Sequence, residues 1–173
     1  MNVPFVPVRG LLGTDYMKVR PDFRVLANPY DQREDIALVP AIAPDLAVFH
    51  GLRGDGHGNV ITSGVLDAKL IAQASRRAVA TVEEVSDGDL TREAHTGVLV
   101  PGIHVSAVVH APHGAHPTAF EGRYPMDGEH VREYVNAAGS DATFAAWLDR
   151  YVYGVPDHAA YLERVRLAAP AAR

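Results

Sequence analysis

The chain has 173 residues, of which 47% are hydrophobic and 21% charged, a composition typical of a folded domain and inconsistent with wholesale disorder. Its 16 lysines and arginines against 21 acidic residues give a net charge of −5, which excludes a basic surface for nucleic acid or anionic lipid. The absence of cysteine excludes disulfides, thiolate metal sites and a cysteine nucleophile. Because neither a signal-peptide pattern nor a membrane-length apolar run is found, we expect a cytoplasmic protein.

Short apolar runs bounded by Gly, Pro and Asp predict buried strands in the first two-thirds of the chain. These runs are Phe5 to Val8, Ile36 to Pro40, Leu46 to Phe49, Val60 to Thr62, Ala78 to Val82 and Val98 to Val100. Within the segment Val65 to Arg77, Leu66, Leu70 and Ala74 form one apolar stripe at helical spacing. The resulting order of strand, helix and strand predicts a βαβ unit with parallel strands.

After about Tyr124 the pattern becomes helical, and each predicted helix begins at a residue able to cap free backbone N–H groups. The three predicted helices are Asp127 to Ala138, Ser140 to Val152 and Asp157 to Ala168. In the middle helix, Phe144, Leu148 and Tyr151 share one face, with Trp147 beside them. Such an aromatic stripe is typical of packing in a core or an interface.

Five sequence phrases, in this order and at this spacing, resemble one known family. The phrases are PFVPVRGLLGTD (Pro4 to Asp15), GDGHGNV (Gly54 to Val60), TVEEV (Thr81 to Val85), APHGAHPT (Ala111 to Thr118), and REYV (Arg132 to Val135) followed by WLDRYVYG (Trp147 to Gly154). Over roughly Val3 to Val165 the chain resembles the C-terminal portion of the A (α) subunit of family I CoA-transferases. The resemblance is nearest to the α subunit of glutaconate CoA-transferase and to relatives that degrade steroid rings.

The resemblance implies an α/β fold with a CoA-transferase-type open sheet and flanking helices. It implies a CoA-transferase-like core over residues 1–125, with C-terminal helices over residues 126–173 packed on the same domain. It also implies a hetero-oligomer with a B-type (β) subunit, an active site at their interface, coenzyme A as a substrate and no permanently bound cofactor. In such transferases the acyl-CoA thioester is attacked by a glutamate of the B-type chain, so the nucleophile is expected on the partner subunit.

Full-length α subunits begin with strands and a glycine-rich turn that this sequence lacks. The chain is therefore expected to be either a split or shortened subunit completed by another chain, or a remnant without activity. Three functions stay open. The first is a CoA-transferase-like enzyme acting on a small or dicarboxylic acyl-CoA. The second is a CoA-thioester hydrolase, decarboxylase or C–C lyase on the same scaffold, and the third is a non-catalytic, shortened structural subunit.

Arg9 is the first candidate for substrate binding. A guanidinium can hold a carboxylate through two parallel hydrogen bonds, which suits the distal acid of a dicarboxylic acyl-CoA. Gly10 and Gly13 allow backbone N–H groups to approach a ligand, and Thr14 and Asp15 add a hydroxyl and a carboxylate at the same turn. The alternative is that Arg9 forms an ion pair within the chain beside a strand end.

Glu83 and Glu84 follow the predicted strand Ala78 to Val82, at the edge where open α/β sheets place ligands. Adjacent strand residues point to opposite faces, so at most one of the two can face a pocket. Glu84 is the candidate catalytic carboxylate, as nucleophile or base. The alternative, which we favour, is a hydrogen-bonded carboxylate that holds a loop. His50, at the end of another predicted strand, is a further candidate for substrate binding.

The stretch Gly54 to Asn59 lacks the lysine and the spacing of a P-loop and is interpreted as a tight turn before the next strand. Four histidines invite a metal hypothesis: His104, His110, His113 and His116. Their spacing matches no common ligand pattern, and two prolines interrupt any helix that would align them. We therefore predict no metal site and expect His113 and His116 to orient a turn or to contact the partner subunit.

Overall fold

The computed structural model describes residues 3–64, 67–120 and 122–167. Two compact units are found, one before and one after the bond between Ala43 and Pro44. The expected arrangement of residues 1–125 and 126–173 within one domain stays a prediction. Among the described residues, no helix is long and apolar enough to cross a bilayer.

The first unit is a three-stranded antiparallel sheet with the strand order β1-β3-β2. Its elements are β1 (Phe5–Val8), the short helix α1 (Tyr16–Val19), β2 (Arg24–Asn28) and β3 (Asp31–Pro40). Pro7 lies opposite Leu38, and Leu26 lies opposite Ile36. Because side chains alternate along a strand, these four residues share one face of the sheet.

The second unit contains a five-stranded sheet with the strand order β7-β5-β4-β6-β8. Its strands are β4 (Ala47–Asp55), β5 (Val60–Thr62), β6 (Ala78–Ser86), β7 (Val98–Val100) and β8 (Ala107–His110). The strands β4, β6 and β8 run parallel, whereas β5 runs antiparallel to both β4 and β7. Helix α2 (Asp67–Ala74) connects β5 to β6 and buries Ala72 in a core of small side chains and valines. Alanines of β4 and β6 belong to the same buried cluster as Ala72.

All six predicted strands are present, but the predicted burial of β1 is wrong, because three of its four residues are exposed. The predicted parallel pairing of the strands that flank α2 is also wrong. The turn after Asp55 reverses the chain, so β5 returns antiparallel beside β4. The crossover through α2 then carries the chain to the other side of β4, where β6 pairs with β4 in parallel. Of the predicted helical stripe, Leu66 lies outside the described residues.

The last part of the described chain contains helices that begin at the predicted capping residues; Ala168, the predicted end of the third helix, lies outside the described residues. They are α3 (Gly128–Ala137), α4 (Asp141–Leu148), which continues into a π-helical turn (Asp149–Tyr153), and α5 (His158–Arg164). The side chains of Asp127, Ser140 and Asp157 accept hydrogen bonds from backbone N–H groups in the first turn of each helix. The rings of Tyr134 and Tyr151 lie 5.1 Å and 5.2 Å from that of Trp147. The aromatic stripe is therefore packed internally, as predicted.

Candidate functional site

Arg9 lies directly after β1 and is oriented by two residues of the neighbouring strands. Its Nη2 donates to the Oε2 of Glu34 at 2.5 Å, and the Nδ2 of Asn28 donates to the Oε1 of the same carboxylate at 2.7 Å. The Arg9 side chain is 78% exposed. A guanidinium carries five N–H donors in a rigid fork, so Arg9 keeps donors for a ligand while Glu34 fixes its direction.

A groove of about 460 Å³ opens on this face of the three-stranded sheet. Its polar lining lies with Arg9 and Asn28, and the rest is largely apolar. The lining residues are Phe5, Pro7, Arg9, Leu26, Asn28, Pro29, Tyr30, Ile36 and Leu38. The geometry therefore combines a fixed cationic group with an apolar surface, which suits a ligand that has both a carboxylate and a hydrocarbon segment.

The turn after Arg9 is closed by its own side chains. Gly13 has a φ of +77°, a conformation that favours glycine. The backbone N–H and the hydroxyl of Thr14 both donate to the carbonyl of Leu11, at 3.2 Å and 2.7 Å. Asp15 forms an ion pair with Lys18 at 2.7 Å. The Thr14 hydroxyl thus stabilises the turn and keeps only its acceptor capacity for a ligand.

In the second unit, Glu83 accepts hydrogen bonds from residues that are distant in sequence. Its Oε1 accepts from the Nε2 of His50 at 2.7 Å and from the hydroxyl of Tyr124 at 2.8 Å. Its Oε2 accepts from the backbone N–H of His113 at 3.0 Å. Since Tyr124 also accepts from the N–H of Ala115 at 3.1 Å, the carboxylate fastens the segment that follows β8.

The charge of Glu83 is stabilised where it is buried. Burial by itself raises the pKa of the Glu83 carboxyl, but the hydrogen bonds from His113, His50 and Tyr124 outweigh burial, and the pKa lies below its ordinary value. The pKa of the Tyr124 hydroxyl is raised, first by burial and then by its hydrogen bond to the carboxylate. Glu83 is therefore an ionised acceptor with both oxygens engaged, which matches the favoured prediction of a carboxylate that holds a loop.

Glu84 points away from Glu83, as the alternation along a strand requires. Its Oε1 accepts from the Nη1 of Arg123 at 2.5 Å, and its side chain is 51% exposed.

The ring of His50 is held on both sides, because its Nδ1 lies 2.8 Å from the Oγ1 of Thr81 and its Nε2 contacts Glu83. Of the predicted site residues, Arg9, Gly10, Gly13 and Thr14 lie in the first unit, and His50 and Glu84 lie in the second.

The stretch Gly54 to Asn59 is a tight turn built around the buried carboxylate of Asp55. Its Oδ1 accepts from the N–H groups of His57 and Asn59, and its Oδ2 accepts from the Nδ2 of Asn59 and the N–H of Leu90, all at 2.9–3.0 Å. Burial raises the pKa of Asp55, but these hydrogen bonds outweigh it and leave the pKa lowered. These hydrogen bonds hold the stretch as a tight turn before β5.

Two of the histidines after residue 100, His113 and His116, have partners within the described structure. His113 has a φ of +57° and supplies the backbone N–H that binds Glu83, so it orients a turn as predicted. The ring of His116 lies between the hydroxyl of Tyr161, at 2.7 Å, and the carboxylate of Asp127, at 3.3 Å. Over residues 3–64, 67–120 and 122–167, no cluster of three or more His, Cys, Asp or Glu side chains could hold a metal ion.

Sequence reasoning missed the residues that orient the candidate groups. Glu34 and Asn28 were not singled out, although Glu34 lies two and four residues before Ile36 and Leu38 and so shares their face of β3. Tyr124 carried no local signal, because its contact with Glu83 spans 41 residues.

The chain is similar to known proteins along most of its length. A family model described as coenzyme A transferase matches residues 1–111. The α subunit of 3-oxoadipate CoA-transferase from Pseudomonas knackmussii is 35% identical over 165 residues, which cover 95% of this chain and 57% of that protein. The cholesterol ring-cleaving hydrolase IpdA subunit of Rhodococcus jostii is 29% identical over 165 residues, covering 90% of this chain and 56% of that protein.

A solved structure shows the same fold. The crystal structure of glutaconate coenzyme A-transferase from Acidaminococcus fermentans matches with a TM-score of 0.85 and 28% identity, over 94% of this chain and 56% of that chain. The chain thus spans about half the length of most of the curated relatives it matches.

Proposed function

Because the chain belongs to the coenzyme A transferase family, we propose that it is the A-type part of an enzyme that acts on a small or dicarboxylic acyl-CoA. The family and the α/β fold class predicted from the sequence are confirmed. The proposed enzyme pairs this chain with a B-type subunit, uses coenzyme A as a substrate rather than a bound cofactor, and has its active site at the interface of the two chains. The relatives named as α subunits support the pairing.

Arg9 carries the proposal. Its exposed guanidinium, oriented by Glu34 and Asn28, is suited to bind the distal carboxylate of the acyl group. Gly10 and Gly13 leave the adjacent backbone accessible, and no atom lies within 4 Å of where a Cβ would stand at either position. Because Glu34 holds the guanidinium in place before the substrate arrives, less side-chain entropy is lost on binding.

The proposed reaction divides its work between two chains. The thioester carbon is attacked by a glutamate of the B-type chain, the bond to sulfur breaks, and an acyl anhydride and the CoA thiolate form. The thiolate then attacks the glutamyl carbonyl, which releases the first carboxylic acid and leaves a glutamyl-CoA thioester for the acceptor acid. In the first unit of this chain, Arg9 positions the acyl group. In the second unit, considered by itself, Glu84 on β6 is the candidate carboxylate and His50 is the candidate binding residue.

The variant Arg9→Gln tests the proposal through the kcat/KM of the complex that this chain forms with its B-type subunit. Loss of a charged hydrogen-bonding partner is expected to lower kcat/KM for a dicarboxylic acyl-CoA roughly 10- to 100-fold. The matched control is Arg33→Gln, which removes an exposed arginine paired with Asp31 on β3 of the same unit. An unchanged kcat/KM in Arg9→Gln would remove Arg9 from the site.

A hydrolase is the second candidate, favoured by the similarity to the ring-cleaving hydrolase subunit. The two reactions differ in their covalent intermediate. A transferase accumulates a glutamyl-CoA thioester that borohydride reduces when no acceptor acid is present, whereas an enzyme that never forms this thioester yields no reduced adduct. Intact-mass analysis of both chains after borohydride treatment distinguishes them. Glu84→Gln, tested in parallel, shows whether the candidate carboxylate of this chain takes part.

A further inference from the structure

The groove beside Arg9 has the properties of a subsite with a defined direction. Phe5 and Pro7 lie on β1 at two-residue steps before Arg9, so all three face the same side of the strand. Leu26 and Ile36 face each other across β2 and β3 and continue the same surface. The groove therefore begins at a cation and continues over hydrocarbon.

We propose that this groove binds the hydrocarbon segment of a dicarboxylic acyl group and sets the preferred chain length, with the distal carboxylate bound by Arg9. The inference rests on the proposed function. It adds to that function a surface that selects the acyl group by the length of its hydrocarbon chain. It assigns the length preference to Phe5, Pro7 and Leu38, which line the groove beyond the charged end, whereas Leu26 and Ile36 lie level with Arg9.

The exposure of the lining residues supports a ligand site. Ile36 is 9% exposed and forms a well-packed floor, whereas Phe5 and Leu26, on the two outer strands, are 46% and 49% exposed. A ligand between these two outer strands would remove apolar surface from water on both sides while its carboxylate stays with Arg9. Because apolar burial is favourable in proportion to area, each methylene that enters the groove adds affinity.

The length of the groove determines over which chain lengths the affinity increases. Phe5 and Arg9 are four residues apart on an extended strand, which corresponds to about 13 Å at the usual rise per residue. A short dicarboxylate bound at Arg9 contacts Pro7 and its neighbours, and a longer one extends toward Phe5. Affinity is thus expected to rise with chain length and then level off when the chain passes Phe5.

Direct binding to the full chain tests this subsite without any CoA transfer. Linear α,ω-dicarboxylates of increasing length, from succinate to suberate, are titrated by ligand-observed NMR. Affinity is expected to increase up to about fourfold per added methylene, the ratio that corresponds to about 0.8 kcal/mol. Arg9→Gln is expected to weaken all lengths by a similar factor, because it removes the group that every member shares.

Two tryptophan variants of one strand supply the decisive comparison. Leu26→Trp fills the groove beside Arg9, where the hydrocarbon segment of every ligand would begin. Val25→Trp instead places the same ring on the opposite face of β2, where Val25 is 52% exposed. Leu26→Trp is expected to abolish the dependence on length, and Val25→Trp to preserve it. Equal affinity for all lengths in the unaltered chain, or the same length dependence in both variants, would overturn the subsite.

The outcome is separable from that of the proposed function. If the enzyme transfers CoA but its dicarboxylates bind without length dependence, the groove proposal fails and the function stands. If length-dependent binding is found but no CoA chemistry occurs, the function fails and the binding site stands. Loss of binding to the B-type chain in Leu26→Trp, with length dependence absent from the unaltered chain, would instead assign the groove to a protein interface and overturn the proposal.

Discussion

The Nε2 of His50 lies 2.7 Å from the Oε1 of Glu83, and both side chains are nearly buried. The contact joins the parallel strands β4 and β6 close to the segment that follows β8. The Nδ1 of the same ring lies 2.8 Å from the Oγ1 of Thr81, so both ring nitrogens have a hydrogen-bond partner. The ring of Phe120 lies edge-on at 4.7 Å and shields the pair. A buried ionised carboxylate thus links two strands to the following segment.

We expect Glu83→Gln to destabilise the protein by about 1–3 kcal/mol, because an amide group leaves at least one of three buried donors without an acceptor. Chemical denaturation measures the free energy of unfolding. Glu84→Gln is the matched control, since it changes the neighbouring carboxylate in a half-exposed ion pair and should cost less than about 1 kcal/mol. Equal losses in the two variants would contradict the role assigned to Glu83.

Gly114→Ala should destabilise the same region by steric conflict. A Cβ at this position would lie 2.7 Å from the carbonyl oxygen of Ala111 and 2.8 Å from Cε1 of His50. Since one of these atoms is backbone, the conflict moves the chain and costs about 1–3 kcal/mol. Thermal unfolding measures the loss. Gly56→Ala, where no atom lies within 4 Å of the added carbon, should leave the melting temperature almost unchanged.

Much of the fold follows from local sequence patterns. Apolar runs between turn residues predict six strands, and capping residues predict the starts of α3, α4 and α5. The strands β2 and β8 were not predicted, and both lie at a sheet edge with most of their residues exposed. Exposure alone does not explain the omission, because the predicted edge strand β1 is exposed to a similar degree.

The candidate site was predictable only in part, because side-chain partners depend on tertiary structure. Alternation along β6 predicts that only one of Glu83 and Glu84 turns inward, but it does not say which. In the structure Glu83 is the residue that turns inward, where it accepts hydrogen bonds from donors that lie 33, 30 and 41 residues away in the sequence. Likewise, the alternative of an ion pair for Arg9 is correct in the structure, while its exposure keeps the binding role open.

Asp55→Asn is expected to loosen the turn before β5. In either orientation, the amide would direct its NH2 group at two of the four donors from which Asp55 now accepts hydrogen bonds. In one orientation these include the N–H of fully buried Leu90. We expect a loss of about 2–3 kcal/mol in the free energy of unfolding. Hydrogen exchange of the Leu90 amide is expected to accelerate as well. Asp87→Asn, at an exposed position in the same region, serves as the control, and similar exchange rates in both variants would contradict the assignment.

The ring of His130 should make stability depend on pH through the packing of the terminal helices. His130 is 6% exposed, and its Nε2 has no hydrogen-bond partner among the described residues. Burial lowers the pKa of His130, and the neighbouring His116 lowers it further, while Glu133 and Asp127 oppose the shift. The folded state therefore favours the neutral ring. As pH falls below the ordinary pKa of 6.5, the unfolded chain binds a proton that folded His130 does not, and stability decreases.

The measurement is the free energy of unfolding at several pH values between about 7.5 and 5.5, above the range in which the carboxylates titrate. The fluorescence of Trp147, the chain's only tryptophan, reports the transition because its ring packs on His130 at 5.6 Å. His130→Phe keeps the aromatic packing and removes the proton site, so its stability should fall less steeply with acidification than that of the unaltered protein. His95→Gln, at an exposed position, should keep the original slope. The comparison uses slopes, so a uniform loss of stability in His130→Phe does not affect it, and equal slopes in all three proteins would show that His130 does not carry the effect.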